Sequence, residues 1–93
     1  MNKKIVINDI TYELIENYRN AFNKEEFESK YTDYFYDFDY VLGDYSYELL
    51  RLKGFYAKNS SKVKDYNDID NFKMYLSREC SYGCRYFLIK KVK

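Results

Sequence analysis

The sequence predicts an α+β domain in which about five strands form a largely antiparallel sheet and two helices pack on it. Two observations lead to this class: extended segments in which apolar and polar residues alternate, and two segments whose apolar residues recur at helical spacing. The predicted order is ββαββαβ. Because omission of the first strand leaves βαββαβ, a ferredoxin-like fold with an extra N-terminal strand is the alternative. A length of 93 residues predicts a single domain over 1–93.

A hairpin and a helix are predicted in the first part of the chain. Strands near 3–8 and 10–17 flank the turn residues Asn8 and Asp9. The helix is predicted from 24 to about 34, and its start is marked by a capping-box pair and a hydrophobic-staple pair. These two pairs are Asn23 with Glu26 and Phe22 with Phe27.

The third and fourth strands are predicted at 38–43 and 47–56, the second being the longest strand signal in the sequence. Gly43 and Asp44 have the chemistry of a turn between them.

The last two elements are a second helix and a closing strand at 85–89. Asp68 is placed to cap the helix and Gly83 to end it. The apolar stripe of this helix consists of Ile69, Phe72, Leu76 and Cys80.

Charge is divided unevenly along the chain, although the formal net charge is only +1. Residues 1–50 contain eleven acidic and five basic side chains, whereas residues 51–93 contain four acidic and eleven basic ones. This division predicts either an acidic and a basic face or cancellation between paired elements, and the sequence leaves both open.

The short apolar stretches of the sequence indicate a cytoplasmic protein. Because the sequence has no run of about 18 apolar residues, we expect no membrane contact. In a reducing compartment Cys80 and Cys84 are expected as free thiols, with a regulatory disulfide as the remaining alternative. Their C-x3-C spacing, without any histidine, does not complete a zinc site, so we expect neither a metal nor another cofactor.

Three later stretches of the sequence resemble the YutD-like family of low-GC Gram-positive bacteria. These stretches are 40–44, 50–56 and 80–92, and their order and spacing match the family pattern. The resemblance departs from that pattern at 45–48, where tryptophan and additional glycine would be expected. It implies a compact bacterial α+β domain and no established activity or catalytic residues.

The string Lys53-Gly54-Phe55 resembles the start of the aromatic strand motif of RNA-recognition domains, in which exposed rings stack on bases. Beside it, basic residues could line up if the last strand lies next to the long one, which would attract phosphates. A solvated charged face is the plainer explanation. The candidate nucleic-acid-binding residues are Arg51, Lys53, Phe55, Lys62, Lys64, Arg85, Lys90 and Lys91.

The sequence therefore predicts a non-enzymatic binding module, with RNA as the first partner hypothesis. Thirteen tyrosines and seven phenylalanines exceed what a small core needs, so a protein partner or self-association is the alternative. A third and weaker hypothesis is a metal-dependent hydrolase that uses Asp37, Asp39 or Asp44. The sequence contains no histidine and no nucleophile beside a recognisable base, which argues against catalysis.

Overall fold

A computed structural model describes residues 3–46, 48–79 and 84–92. The strands are β1 (Lys4–Ile7), β2 (Ile10–Tyr18), β3 (Tyr40–Ser46), β4 (Leu49–Phe55) and β5 (Tyr86–Lys91). The α-helices are α1 (Lys24–Lys30) and α2 (Phe72–Glu79). Short 3-10 helices cover Asp33–Asp37, Asp65–Asn67 and Ile69–Asn71. The order ββαββαβ is therefore confirmed.

The five strands form one sheet in the order β1-β2-β5-β3-β4, and every strand pair is antiparallel. The last strand thus lies between β2 and β3, and β1 and β4 are the edges. In a ferredoxin-like sheet the first core strand, here β2, would separate the last two of the chain. The ferredoxin-like alternative is therefore wrong.

The hairpin β1–β2 closes as predicted, because Asn8 and Asp9 both adopt positive φ, as a two-residue type I′ turn requires. A register shift between Leu14 and Glu16 opposite β5 marks a bulge in β2. It brings the Glu16 carboxylate to the α2 side, where it accepts a hydrogen bond from the Tyr86 hydroxyl at 2.7 Å.

One face of the sheet is sealed by α1. The Asn23 side chain accepts a hydrogen bond from the Glu26 backbone at 3.0 Å, which confirms the predicted cap. Phe27 is fully buried and contacts Tyr12 and Phe87 edge to face. This face therefore contains the larger part of the buried core.

The opposite face is covered by α2 and the two 3-10 turns before it. Leu42, Phe55 and Leu88 are buried there, and Phe72 and Tyr75 pack on them half-exposed. No residue of α2 is fully buried. Among the described residues no helix is long and apolar enough to cross a membrane.

Several predictions for single elements differ from the structure. The first helix ends at Lys30, because Tyr31 turns to extended backbone and its hydroxyl lies 2.7 Å from that of Tyr12. The turn predicted at Gly43 and Asp44 is wrong, since both lie inside β3. Among the described residues the longest strand is β2, and not the predicted fourth strand, which covers Leu49–Phe55.

The start of the second helix is also different. Asp68 caps a 3-10 turn by accepting from the Asp70 backbone, and the α-helix begins at Phe72. Its predicted end at Gly83 lies outside the described residues, as does Cys80 on its stripe.

Candidate functional site

The outer edge of β4 carries backbone groups that are not used by the sheet. Tyr45 on β3 donates its backbone N–H to the carbonyl of Arg85, the residue before β5. Backbone groups alternate in direction along a strand, so the even-numbered residues of β3 point their N–H and C=O groups to β4. The register then leaves Leu52 and Gly54 with their N–H and C=O groups pointing away from β3. Among the described residues neither has a hydrogen-bond partner on that outer side.

Beyond these residues the same edge is already occupied by the chain itself. The Tyr56 backbone N–H donates to the Asn67 carbonyl at 2.7 Å, and Ile69 N–H donates to the Tyr56 carbonyl at 3.0 Å. Tyr56 and Asp68 form a parallel bridge. The free part of the edge is therefore a short slot that ends at this bridge.

A groove of about 780 Å³ opens over the slot, and we call it the β4 groove. Tyr34 and Phe38 line it, with Phe38 packed on the backbone of Gly54. Tyr66 and Tyr75 line it as well. Tyr34 and Tyr66 are 69% and 72% exposed, so two large rings next to the slot face water.

Lys53 is shared by the β4 groove and a neighbouring groove that also contains Met74, half of whose surface is exposed. Its Nζ lies 5.2 to 5.9 Å from the ring centroids of Phe55, Tyr66 and Tyr75. Burial among these rings lowers the pKa of Lys53 below its usual value. No carboxylate of the described residues lies within ion-pair distance of it.

Phe55 does not belong to an exposed surface. Its side chain is fully buried under α2 and meets the ring of Tyr75 edge to face. The expectation that it projects into water beside Arg51 and Lys53 is wrong. Gly54 marks neither a bulge nor a bend, because the register is continuous and its missing side chain admits the ring of Phe38.

Arg51 is occupied by a structural ion pair. Its guanidinium donates two hydrogen bonds of 3.1 Å to the buried carboxylate of Asp44, which raises the pKa of Arg51. It also donates to the Glu79 carbonyl at the end of α2 at 2.8 Å. Arg51 therefore anchors α2 to the sheet.

The other predicted cations are distributed over both sheet faces. Lys62 pairs with Asp37 at 2.7 Å, and Lys64 lines the β4 groove. Arg85 covers the ring of Tyr45 on the α1 side. The remaining two lie over tyrosine rings, Lys90 over Tyr40 and Lys91 over Tyr36.

The predicted basic stripe on β4 and β5 is divided for two reasons. The last strand does not lie next to the long one, because β3 lies between β5 and β4, and alternate residues of a strand face opposite sides of the sheet. Lys53 lies on the α2 side with Lys90, whereas Arg85 lies on the α1 side. Of the charge alternatives, the ion pairs favour cancellation: cations of the second half pair with Asp37, Asp44 and Glu16 of the first half.

The three aspartates considered for a metal do not converge on one point. Asp44 is paired with Arg51, Asp37 accepts from Lys62 and from the Tyr56 hydroxyl, and Asp39 accepts from a backbone N–H. The hydrogen bonds from Lys62 and then Tyr56 lower the pKa of Asp37. The hydrogen bond between the Tyr56 hydroxyl and Asp37 raises the pKa of Tyr56 to about 12. Within the described ranges no group of acidic or cysteine side chains is arranged for a metal ion.

The prediction of free thiols is wrong for Cys84, which is disulfide-bonded in the structure. Cys80, predicted on the helix stripe, lies outside the described residues.

The groove tyrosines were absent from the residues predicted for the site. Their signal in the sequence is the surplus of tyrosine over the needs of the core, which indicates exposed rings without giving their positions. Tyr34 and Tyr66 lie in 3-10 turns, whose short length gives no periodic pattern to place them.

The fold defines a class of small α+β domains with a five-stranded antiparallel sheet between two helices. A family model described as "YutD-like: Putative antitoxin YutD-like" matches residues 6–90. The chain belongs to the YutD-like family, as its sequence resemblance indicated.

A curated relative and a solved structure illustrate the similarity. "Putative antitoxin YutD" of Bacillus subtilis (strain 168) is 35% identical over 89 residues, which cover 96% of this chain and 98% of the relative. The solution NMR structure of protein yutD from B. subtilis has a TM-score of 0.82 at 34% identity, covering 98% of this chain and 83% of that one.

Proposed function

We propose that this chain is a non-enzymatic protein-binding module that neutralises its partner protein as an antitoxin does. The observation that carries the proposal is the β4 groove, in which exposed Tyr34 and Tyr66 stand beside a strand edge with free backbone groups. Tyrosines are enriched at protein interfaces, where they bury a large area at little entropic cost.

The antitoxin part of the proposal comes from the relatives, because the family description and the B. subtilis protein both carry that word. A cytoplasmic location and a single domain over 1–93 stay predictions from the sequence.

RNA is the second candidate, and the observation in its favour is that Lys53 and Lys64 lie beside exposed Tyr66. Single-stranded RNA is bound by such combinations of rings and cations. We rank it below a protein partner because Phe55 is buried and Lys62 is paired with Asp37, which removes one ring and one cation from the predicted site.

The proposal is tested in the bacterium that encodes the chain. Depletion should arrest growth, and the wild-type chain should restore it, whereas Tyr66→Ala should not. Tyr18→Ala is the matched control, because Tyr18 is also a partly exposed tyrosine but lies outside both grooves.

A purified partner then gives the quantitative test. Truncation of a central interface tyrosine costs about 2 kcal/mol or more, so Tyr66→Ala should weaken binding roughly 30-fold and Tyr18→Ala should leave it unchanged. Normal growth on depletion, or retention of RNA instead of protein by the wild-type chain, would contradict the proposal.

A further inference from the structure

We infer that the partner's contact with the β4 groove is an extended segment with alternating acidic and apolar side chains, which pairs with β4 as a sixth strand of the five-stranded sheet. The inference rests on the proposed function and specifies the partner chemistry of the same site.

The first argument is the backbone of the slot. Leu52 and Gly54 direct their N–H and C=O groups outward, and such groups form the template for an added strand. The bridge between Tyr56 and Asp68 shows that this edge accepts a second backbone, since the chain's own segment already occupies its end. The neighbouring Leu52 is partly exposed in the groove and open to a further strand, whereas Gly54 lines the groove as a buried residue.

The second argument is that the two sides of the slot differ in chemical character. Lys53 faces the α2 side, whereas Leu52 and Gly54 face the α1 side, where the ring of Phe38 covers Gly54. Side chains of an added strand also alternate between the two sides. One set would therefore lie beside the ammonium group of Lys53 and the other beside apolar groups, with Tyr34 next to them.

The third argument is charge. The β4 groove is lined by three lysines, Lys53, Lys62 and Lys64, against the single carboxylate of Asp37. Lys62 already binds that carboxylate. Lys53 and Lys64 have no ion-pair partner among the described residues, so the groove complements an acidic segment.

Charge also argues against a second copy of this chain as the occupant. Antiparallel pairing of two β4 strands about Leu52 would place Arg51 of one copy directly opposite Lys53 of the other. Like charges at directly opposed positions destabilise a strand pair.

The inference can be tested with peptides before the partner is known. Two capped hexapeptides serve as probes, one alternating valine with glutamate and the other valine with lysine, and each is titrated against the full chain by fluorescence anisotropy. We expect the glutamate peptide to bind about fivefold to tenfold more tightly, because it replaces like-charge contacts by opposite ones. Lys53→Glu should reverse that preference. Lys3→Glu, the same charge change beside the other sheet edge, should not.

Backbone pairing has its own control. Because every second amide of a strand points to the same neighbour, N-methylation of one alternate set of amides in the glutamate peptide should abolish binding, and methylation of the other set should not. Equal affinity for the two peptides, insensitivity to both methylated forms, displacement by single-stranded RNA, or self-association of the chain through β4 would overturn the inference.

These outcomes separate the inference from the proposed function. If growth and partner binding depend on Tyr66 while neither peptide binds, the function stands and strand addition is wrong. If the glutamate peptide binds as expected while depletion leaves growth normal, strand addition stands and the antitoxin function is wrong.

Discussion

The two faces of the sheet are filled in different ways. On the α1 side, Tyr12, Phe27 and Phe87 have no exposed surface, and Phe27 contacts the other two rings edge to face. On the α2 side, the helix has no fully buried residue and half-buried Lys53 lies among aromatic rings. A tightly packed face stabilises the fold, so the loosely covered face can keep grooves open for a partner.

The largest expected effect comes from breaking the packed face. Phe27→Ala should lower the free energy of unfolding by about 3–5 kcal/mol, because it leaves a cavity under α1. Tyr75→Ala on the other face should cost only roughly 1–2 kcal/mol, since its side chain is partly exposed and not fully buried. Urea denaturation of both variants measures the difference, and equal losses would contradict the contrast between the faces.

An intermediate effect is expected at the ion pair between Arg51 and Asp44 on the α2 side. Arg51→Ala leaves the carboxylate of Asp44, which is 2% exposed, without a cation, and should cost about 3 kcal/mol. The double variant Arg51→Met/Asp44→Leu should recover most of that loss of stability, because no buried charge then remains. A double variant less stable than Arg51→Ala would show that the pair acts in some other way.

The smallest effect concerns pH. Lys62 and Tyr56 lower the pKa of Asp37 below its usual 3.8, so their stabilising contribution is present above that pH and is lost as pH falls through the lowered value. Lys62→Ala should raise the pKa of Asp37 towards 3.8, as measured by NMR titration of the carboxylate. An unchanged pKa would mean that the ion pair does not form in solution.

Local signals in the sequence were sufficient for the order of elements. The cap at Asn23 and the turn at Asn8 and Asp9 are set by neighbouring residues, and both are present as predicted. The turn predicted at Gly43 is absent because this glycine serves a tertiary contact: its missing side chain makes room for the ring of Phe87 on another strand. Such a contact leaves no local pattern.

The site was harder to predict for a related reason. Alternation along a strand places Lys53 and Phe55 on the side opposite Leu52 and Gly54, but it does not show whether that side is covered, because antiparallel sheets often leave one face in water. Here helices cover both faces, so Phe55 is buried. The accessible feature is the strand edge, whose position depends on sheet order and therefore on pairings far apart in sequence.

Hydrogen exchange at the two sheet edges tests the strand-addition account most directly. Val6 on β1 also points its amide outward, so it is the internal control for Leu52 and Gly54 on β4. On addition of the valine–glutamate peptide, we expect exchange of the Leu52 and Gly54 amides to slow by at least about tenfold, with the Val6 amide unchanged. Unchanged exchange at Leu52 and Gly54 when the peptide is bound, or equal slowing at all three amides, would contradict the account.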